Sequence, residues 1–85
     1  MPYLTDAQKE EVALRGPKTP GQLNYAITLL LIEYWRQRCH SGYTGLNDII
    51  GALESSKQEF YRRIVVPYEE KKRAENGDVY ENETH

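Results

Sequence analysis

Eighty-five residues and 9.9 kDa, 39% hydrophobic and 28% charged, describe one small domain with room for a single core and exclude a multidomain enzyme. Eleven Lys and Arg against thirteen Asp and Glu leave a net charge of −2, which excludes the strongly basic balance of a sequence-independent duplex DNA binder. A chain this short buries only about 60% of the surface its unfolded form exposes, so composition predicts a partner, most simply a second copy.

Thr5-Asp6-Ala7-Gln8 has the form of a capping box, a hydroxyl at the N-cap and a Gln three residues later, and predicts a short helix from Asp6 to about Leu14. Gly16-Pro17-Lys18-Thr19-Pro20 then breaks the chain, with Gly16 suited to a left-handed cap and both prolines pushing the residues before them out of the helical region. Thr19-Pro20-Gly21-Gln22 starts a second helix, expected from Pro20 to about His40, with Thr19 at the N-cap and Gln22 closing the box. Its apolar face is expected to be Leu23, Ala26, Ile27, Leu30, Leu31 and Tyr34, spaced 0, 3, 4, 7, 8 and 11. Leu29, Ile32 and Trp35 fall outside that stripe and are the candidates for a homo-oligomer interface, because a helix apolar around most of its circumference needs a second wall. The run Leu29–Ile32 is too short, and Glu33, Arg36 and Arg38 are too close, for a membrane span.

Ser41-Gly42-Tyr43 is the expected connection, and Thr44 the expected cap of a third helix running from 45 to 66. So short a loop predicts an antiparallel hairpin of residues 20–40 against 45–66. Leu46, Ile49, Ile50, Leu53, Phe60, Tyr61 and Ile64 keep helical spacing, while Ser56 and Lys57 leave a polar gap in that face. Pro67 either kinks this helix or starts a new one, with Glu69 and Glu70 in its first turn and Lys71, Lys72 and Arg73 in its last. Asn76-Gly77 ends it, and the acidic tail from Asp78 to His85 is expected to be mobile unless Val79 and Tyr80 dock on a neighbour. The expected architecture is therefore all-α and oligomeric. Residues 1–18 form a short helix and linker, 19–75 a helical hairpin with an extension after Pro67, and 76–85 a tail.

Catalysis is not expected. The lone Cys39 and the two histidines, His40 and His85, cannot assemble a closed zinc site in one chain, and adjacent Cys39 and His40 point in different directions. Glu54 and Glu59 lie five positions apart and do not face each other. Gly42-Tyr43-Thr44-Gly45 lacks the strand-loop-helix setting of a phosphate loop, so neither a metal nor a cofactor is anticipated. The first thirty residues lack the pattern of a secretory leader, and a single cysteine allows no intramolecular disulfide, so the expected location is the cytoplasm.

Charge is uneven along the chain. Residues 57–73 hold Lys57, Arg62, Arg63, Lys71, Lys72 and Arg73 against Glu59, Glu69 and Glu70, a local +3, with Phe60, Tyr61 and Tyr68 interleaved. Arginine with tyrosine suits a planar base, by stacking, and a phosphate, by a forked hydrogen bond. The plainer alternative is that Phe60, Tyr61 and Ile64 pack the hairpin while Arg62 and Arg63 are solvated or pair with acids of the opposing helix.

Leu23-Asn24-Tyr25-Ala26-Ile27-Thr28, Ile50-Gly51-Ala52-Leu53-Glu54, Glu59-Phe60-Tyr61-Arg62-Arg63, Pro67-Tyr68-Glu69-Glu70-Lys71-Lys72 and Glu75-Asn76-Gly77-Asp78-Val79-Tyr80 together resemble a family of short, functionally unassigned proteins encoded by phages and prophages. The short first helix, two long helices and Arg63-Ile64-Val65-Val66-Pro67-Tyr68-Glu69 also resemble the helical hairpin of phage anti-CBASS and anti-Thoeris sponges. Those proteins oligomerise and sequester cyclic nucleotide signals of bacterial immunity without cleaving them. The resemblance implies an anti-defence binding protein in the cytoplasm of an infected host, with a cyclic nucleotide or related small anionic nucleotide as partner. The expected ligand site is Asn24, Tyr25, Tyr61, Arg62, Arg63 and Tyr68, since a hairpin would bring the start of helix 2 beside the end of helix 3. The alternative is a helical oligomer that blocks a host or phage protein through the same surface, with Trp35 and the tyrosines as hot spots. A helix-turn-helix DNA reader ranks behind both.

Overall fold

The structure, a computed structural model, describes residues 3–38 and 42–80. Helix accounts for 85% of these residues, and none of them lies in a strand. The elements are α1 (Asp6–Arg15), α2 (Pro20–Arg38), α3 (Gly42–Phe60), a π-helical turn (Tyr61–Val65) and α4 (Val66–Asn76), the last three forming one unbroken helical run. Contacts group the chain into two units, Met1–Ile49 and Ile50–His85, dividing inside α3. The expected hairpin would join residues of both. Cys39, His40, Ser41 and the tail from Glu81 to His85 lie outside the described residues, and with them the expected end of helix 2 at His40.

In the first unit the caps decide the helix ends. The Thr5 hydroxyl accepts from the Gln8 N–H at 3.2 Å and the Gln8 side chain accepts from the Thr5 N–H at 2.9 Å, so the first capping box closes as the sequence predicts. The second is displaced by one residue. Thr19 Oγ1 accepts from the Gln22 N–H at 3.1 Å, but Gln22 Oε1 takes the N–H of Lys18 at 2.8 Å instead of returning to Thr19. Either arrangement satisfies two backbone donors at the helix start, and Lys18 offers its N–H because the turn before Pro20 leaves it unbonded within the helix. Gly16 ends α1 at φ +81° and ψ 168°, a region open essentially to glycine and not the left-handed helical cap expected from the sequence.

α1 packs on α2, and Val12 of α1 is buried there. A concavity of about 220 Å³ lies between the two helices, lined on one side by Lys9, Val12 and Ala13 and on the other by Tyr25, Ala26, Leu29, Leu30 and Glu33. No residue of α2 is buried. This corrects the expected core stripe. Leu23, Ile27, Leu30 and Tyr34 are all exposed, because a ten-residue α1 covers only part of a nineteen-residue α2.

α3 starts at Gly42, three residues earlier than the sequence suggests, so Thr44 sits inside the first turn and not at the cap. Gly42 has φ +53°, a conformation that favours glycine. Ile49 of α3 is buried, whereas no described residue from Ile50 to Tyr80 is.

Pro67 stands in the first turn of α4, and the chain reaches it from α3 without a break. A proline at 67 cannot donate to the Arg63 carbonyl, and its ring collides with that carbonyl in an α turn. The turn before it is therefore widened: the Val66 N–H bonds the Tyr61 carbonyl, five residues back, and α4 begins with Pro67 in its first turn. Gly77 closes α4 at φ +88°, its N–H on the Arg73 carbonyl at 2.8 Å, where Asn76-Gly77 predicted an end.

Removing the ring should let this turn tighten to α geometry. Pro67→Ala is expected to raise thermal stability, by roughly 1–3 kcal/mol, with helix content by circular dichroism unchanged or higher. A lower melting temperature would mean that the π turn has some cause other than the proline.

Candidate functional site

The π turn resets which residues share a side. Two α turns take about 7.2 residues, and the one residue added by the i to i+5 bond brings positions eight apart into line. The Tyr61 hydroxyl accordingly donates to Glu69 Oε1 at 3.0 Å. In an unwidened helix Glu69 would stand about 80° around the axis from Tyr61, and the wide turn between them removes that offset.

Beside this pair runs an open concavity of about 600 Å³. Tyr61, Tyr68 and Tyr80 supply its aromatic lining, Lys72 and Arg73 its cations, and Glu69, Glu70 and Asp78 its acids. Its volume falls within the roughly 300–1,000 Å³ of small-molecule sites. The Lys72 ammonium lies 5.7 Å from the centre of the Tyr68 ring, within cation–π range, and 3.6 Å from Glu75. Arg73 lies 3.6 Å from Asp78, whose other oxygen accepts from the Tyr80 N–H at 2.8 Å and so turns the chain back toward α4 after Gly77.

Four of the sequence-predicted ligand residues, Tyr61, Arg62, Arg63 and Tyr68, fall in the second unit, and Asn24 and Tyr25 in the first. Tyr61 and Tyr68 line the concavity. Arg62 and Arg63 are not among its lining residues; both pair with Glu59, Arg63 at 3.7 Å. Their acid is thus on their own helix, three and four residues back, and not on an opposing one. Asn24 is exposed, with its side-chain oxygen accepting from the Thr28 hydroxyl at 3.3 Å, and Tyr25 is half-buried against α1. Of the three interface candidates, Leu29 lines the α1–α2 concavity, Ile32 is half-buried and Trp35 is exposed.

Sequence reasoning missed Lys72, Arg73 and Tyr80 as lining residues. The signal for Lys72 was present, since Tyr68 and Lys72 are four apart and neighbours on any helix. Among the described residues no group of three His, Cys, Asp or Glu could hold a metal ion, and no helix is long and apolar enough to cross a membrane. Glu54 pairs with Lys57 at 3.5 Å.

The Glu69 carboxylate accepts the Tyr61 hydroxyl's hydrogen bond, and its charge adds to the effect, so the phenol is held above the ordinary tyrosine value of 10.0. Folding raises this pKa, so the bond favours the folded chain below the ordinary value and its contribution is lost as the pH rises through the raised one. Tyrosine titration followed by NMR of labelled ring carbons should show Tyr61 ionising above the ordinary tyrosine value. Glu69→Gln should bring it back toward that value, and an unchanged Tyr61 titration in that variant would exclude the bond.

A family model described as a domain of unknown function (DUF6899) matches residues 1–79. No curated protein and no solved structure matches the chain. Since the match takes in every described element, from the capping box of α1 to the end of α4, the chain belongs to the DUF6899 family.

Proposed function

We propose that this protein is a binding protein, not a catalyst, that sequesters a small anionic nucleotide, as the phage sponges it resembles do with cyclic nucleotide immune signals. The observation that carries the reading is the convergence of Tyr61, Tyr68, Lys72 and Arg73 on one open concavity, with Arg62 and Arg63 following Tyr61 in the π turn. Aromatic faces suit a base and guanidinium forks suit a phosphate.

The acids of the concavity do not argue against an anion. Arg62, Arg63, Lys72 and Arg73 are each held by an exposed ion pair. Such pairs are worth about 0–1 kcal/mol, so releasing a cation from its carboxylate costs an incoming phosphate little. A phosphate can therefore draw any of the four away from its carboxylate. Homo-oligomerisation belongs to the same reading, and exposed Trp35 is free to contact another subunit.

Thermal shift against a panel of cyclic nucleotides and cyclic ADP-ribose isomers tests the reading, since a ligand at 100 times its Kd adds about 2.7 kcal/mol to stability. At least one is expected to raise the melting temperature. Arg62→Ala and Arg63→Ala should each keep helix content, at a cost under about 0.5 kcal/mol, and at least one should lose tenfold or more in affinity. No shift with any member of the panel would overturn nucleotide capture and favour a protein target.

A further inference from the structure

We propose that a second copy of this chain docks antiparallel along the face of α3 and the π turn that carries Ile50, Leu53, Lys57, Phe60 and Ile64. Ile50, Leu53, Lys57 and Phe60 are spaced 3, 4 and 3 within α3, the a/d repeat of a two-helix seam, and Ile64 follows them in the π turn. Ile50 is 62% exposed, Phe60 61%, Ile64 57% and Leu53 36%, so the seam is bare in the single chain. Together these four leave on the order of 400 Å² of surface per copy, the size of the largest apolar patch on a typical monomer, which is often functional. That suffices for the apolar centre of a standard interface of about 800 Å² per partner.

Lys57 selects both the occupant and its direction. It is the one charged residue of the seam, and it already lies 3.5 Å from Glu54. A parallel partner would set two lysines side by side in one layer. In an antiparallel pair centred near Ser55, Ile50 faces the partner's Phe60, and Leu53 faces the stem of the partner's Lys57. The ammonium of that lysine then reaches Glu54, so each Lys57 meets the partner's Glu54 across the seam. A single polar residue at an a position setting register and orientation is the best-attested use of such a group. The seam is self-complementary only with another copy of itself.

The interface belongs to α3 and does not rest on the nucleotide reading, which a monomer could satisfy. The test uses the full chain with Cys39→Ser. Sedimentation at micromolar concentration should give a dimer or a multiple of it. Ser56→Cys, on the flank of the seam beside the two-fold axis, should form a disulfide-linked dimer under mild oxidation. Gln58→Cys, pointing away from the seam, should not. Lys57→Glu should keep helix content by circular dichroism and raise the dissociation constant at least tenfold. A monomer, whose seam is then left to its own α2 or to solvent, would overturn the proposal. So would an oligomer that cross-links through Gln58→Cys and not through Ser56→Cys.

Discussion

A proline has no N–H to give to the carbonyl four residues before it, and at position 67 that one missing donor organises the second half of the molecule. The helix answers by admitting one extra residue into the turn from Tyr61 to Val65 instead of breaking. Everything beyond is rotated by about 100° from the phase that α3 would have continued. Tyr61 comes into line with Glu69, and the hydroxyl and carboxylate meet. The same wide turn carries Arg62 and Arg63, whose guanidinium groups both turn back to Glu59 at the end of α3.

The parts of the fold that local chemistry dictates were legible in the sequence. Thr5 and Gln8 announce the start of α1, and Asn76-Gly77 the end of α4, because each depends on residues within one turn. Gln22 shows how close such competitions are: two neighbouring backbone donors were available, and its side chain took Lys18 over Thr19. The lining of the concavity was legible only in part. Tyr61 and Tyr68 were found from composition, but a phase of about 3.6 residues carried through Pro67 leaves Arg73 about 120° away from Tyr61. With one residue added to the turn, Arg73 follows Tyr61 and Glu69 along one side. The π turn that corrects the phase has no sequence signature beyond the proline itself.

Burial was the least legible property, for a physical reason. Periodicity says which side of a helix is apolar, not what stands against it. α2 meets the short α1 within its unit, so the Leu23, Ile27, Leu30 and Tyr34 stripe stays exposed, and among the described residues Val12 and Ile49 are the buried hydrophobic ones. Helices in proteins draw most of their stability from packing an apolar face, and propensity alone leaves them marginal. A chain that buries this little of its apolar surface gains most from surfaces supplied by another molecule.

That dependence ties assembly to binding. The ion pairs that hold Arg63, Lys72 and Arg73 are exposed and individually weak, so they keep the cations oriented without locking them to their carboxylates. Burial of the same pairs would change the balance, since a desolvated cation bound to its own acid would resist exchange for a phosphate. Assembly must therefore cover the apolar seam and leave the charged concavity in water, although both lie on one helical run. The direction of the proposed pair decides whether it can. About Ser55 as centre, an antiparallel partner sets position 64 level with its own position 46 and position 68 level with its position 42, where α3 begins. The partner's α3 thus runs out where Tyr68, Lys72 and Arg73 begin. A parallel partner would lay a second α4 beside the first, bringing two sets of Lys71, Lys72 and Arg73 together, and the contact that buried the seam would crowd the site as well.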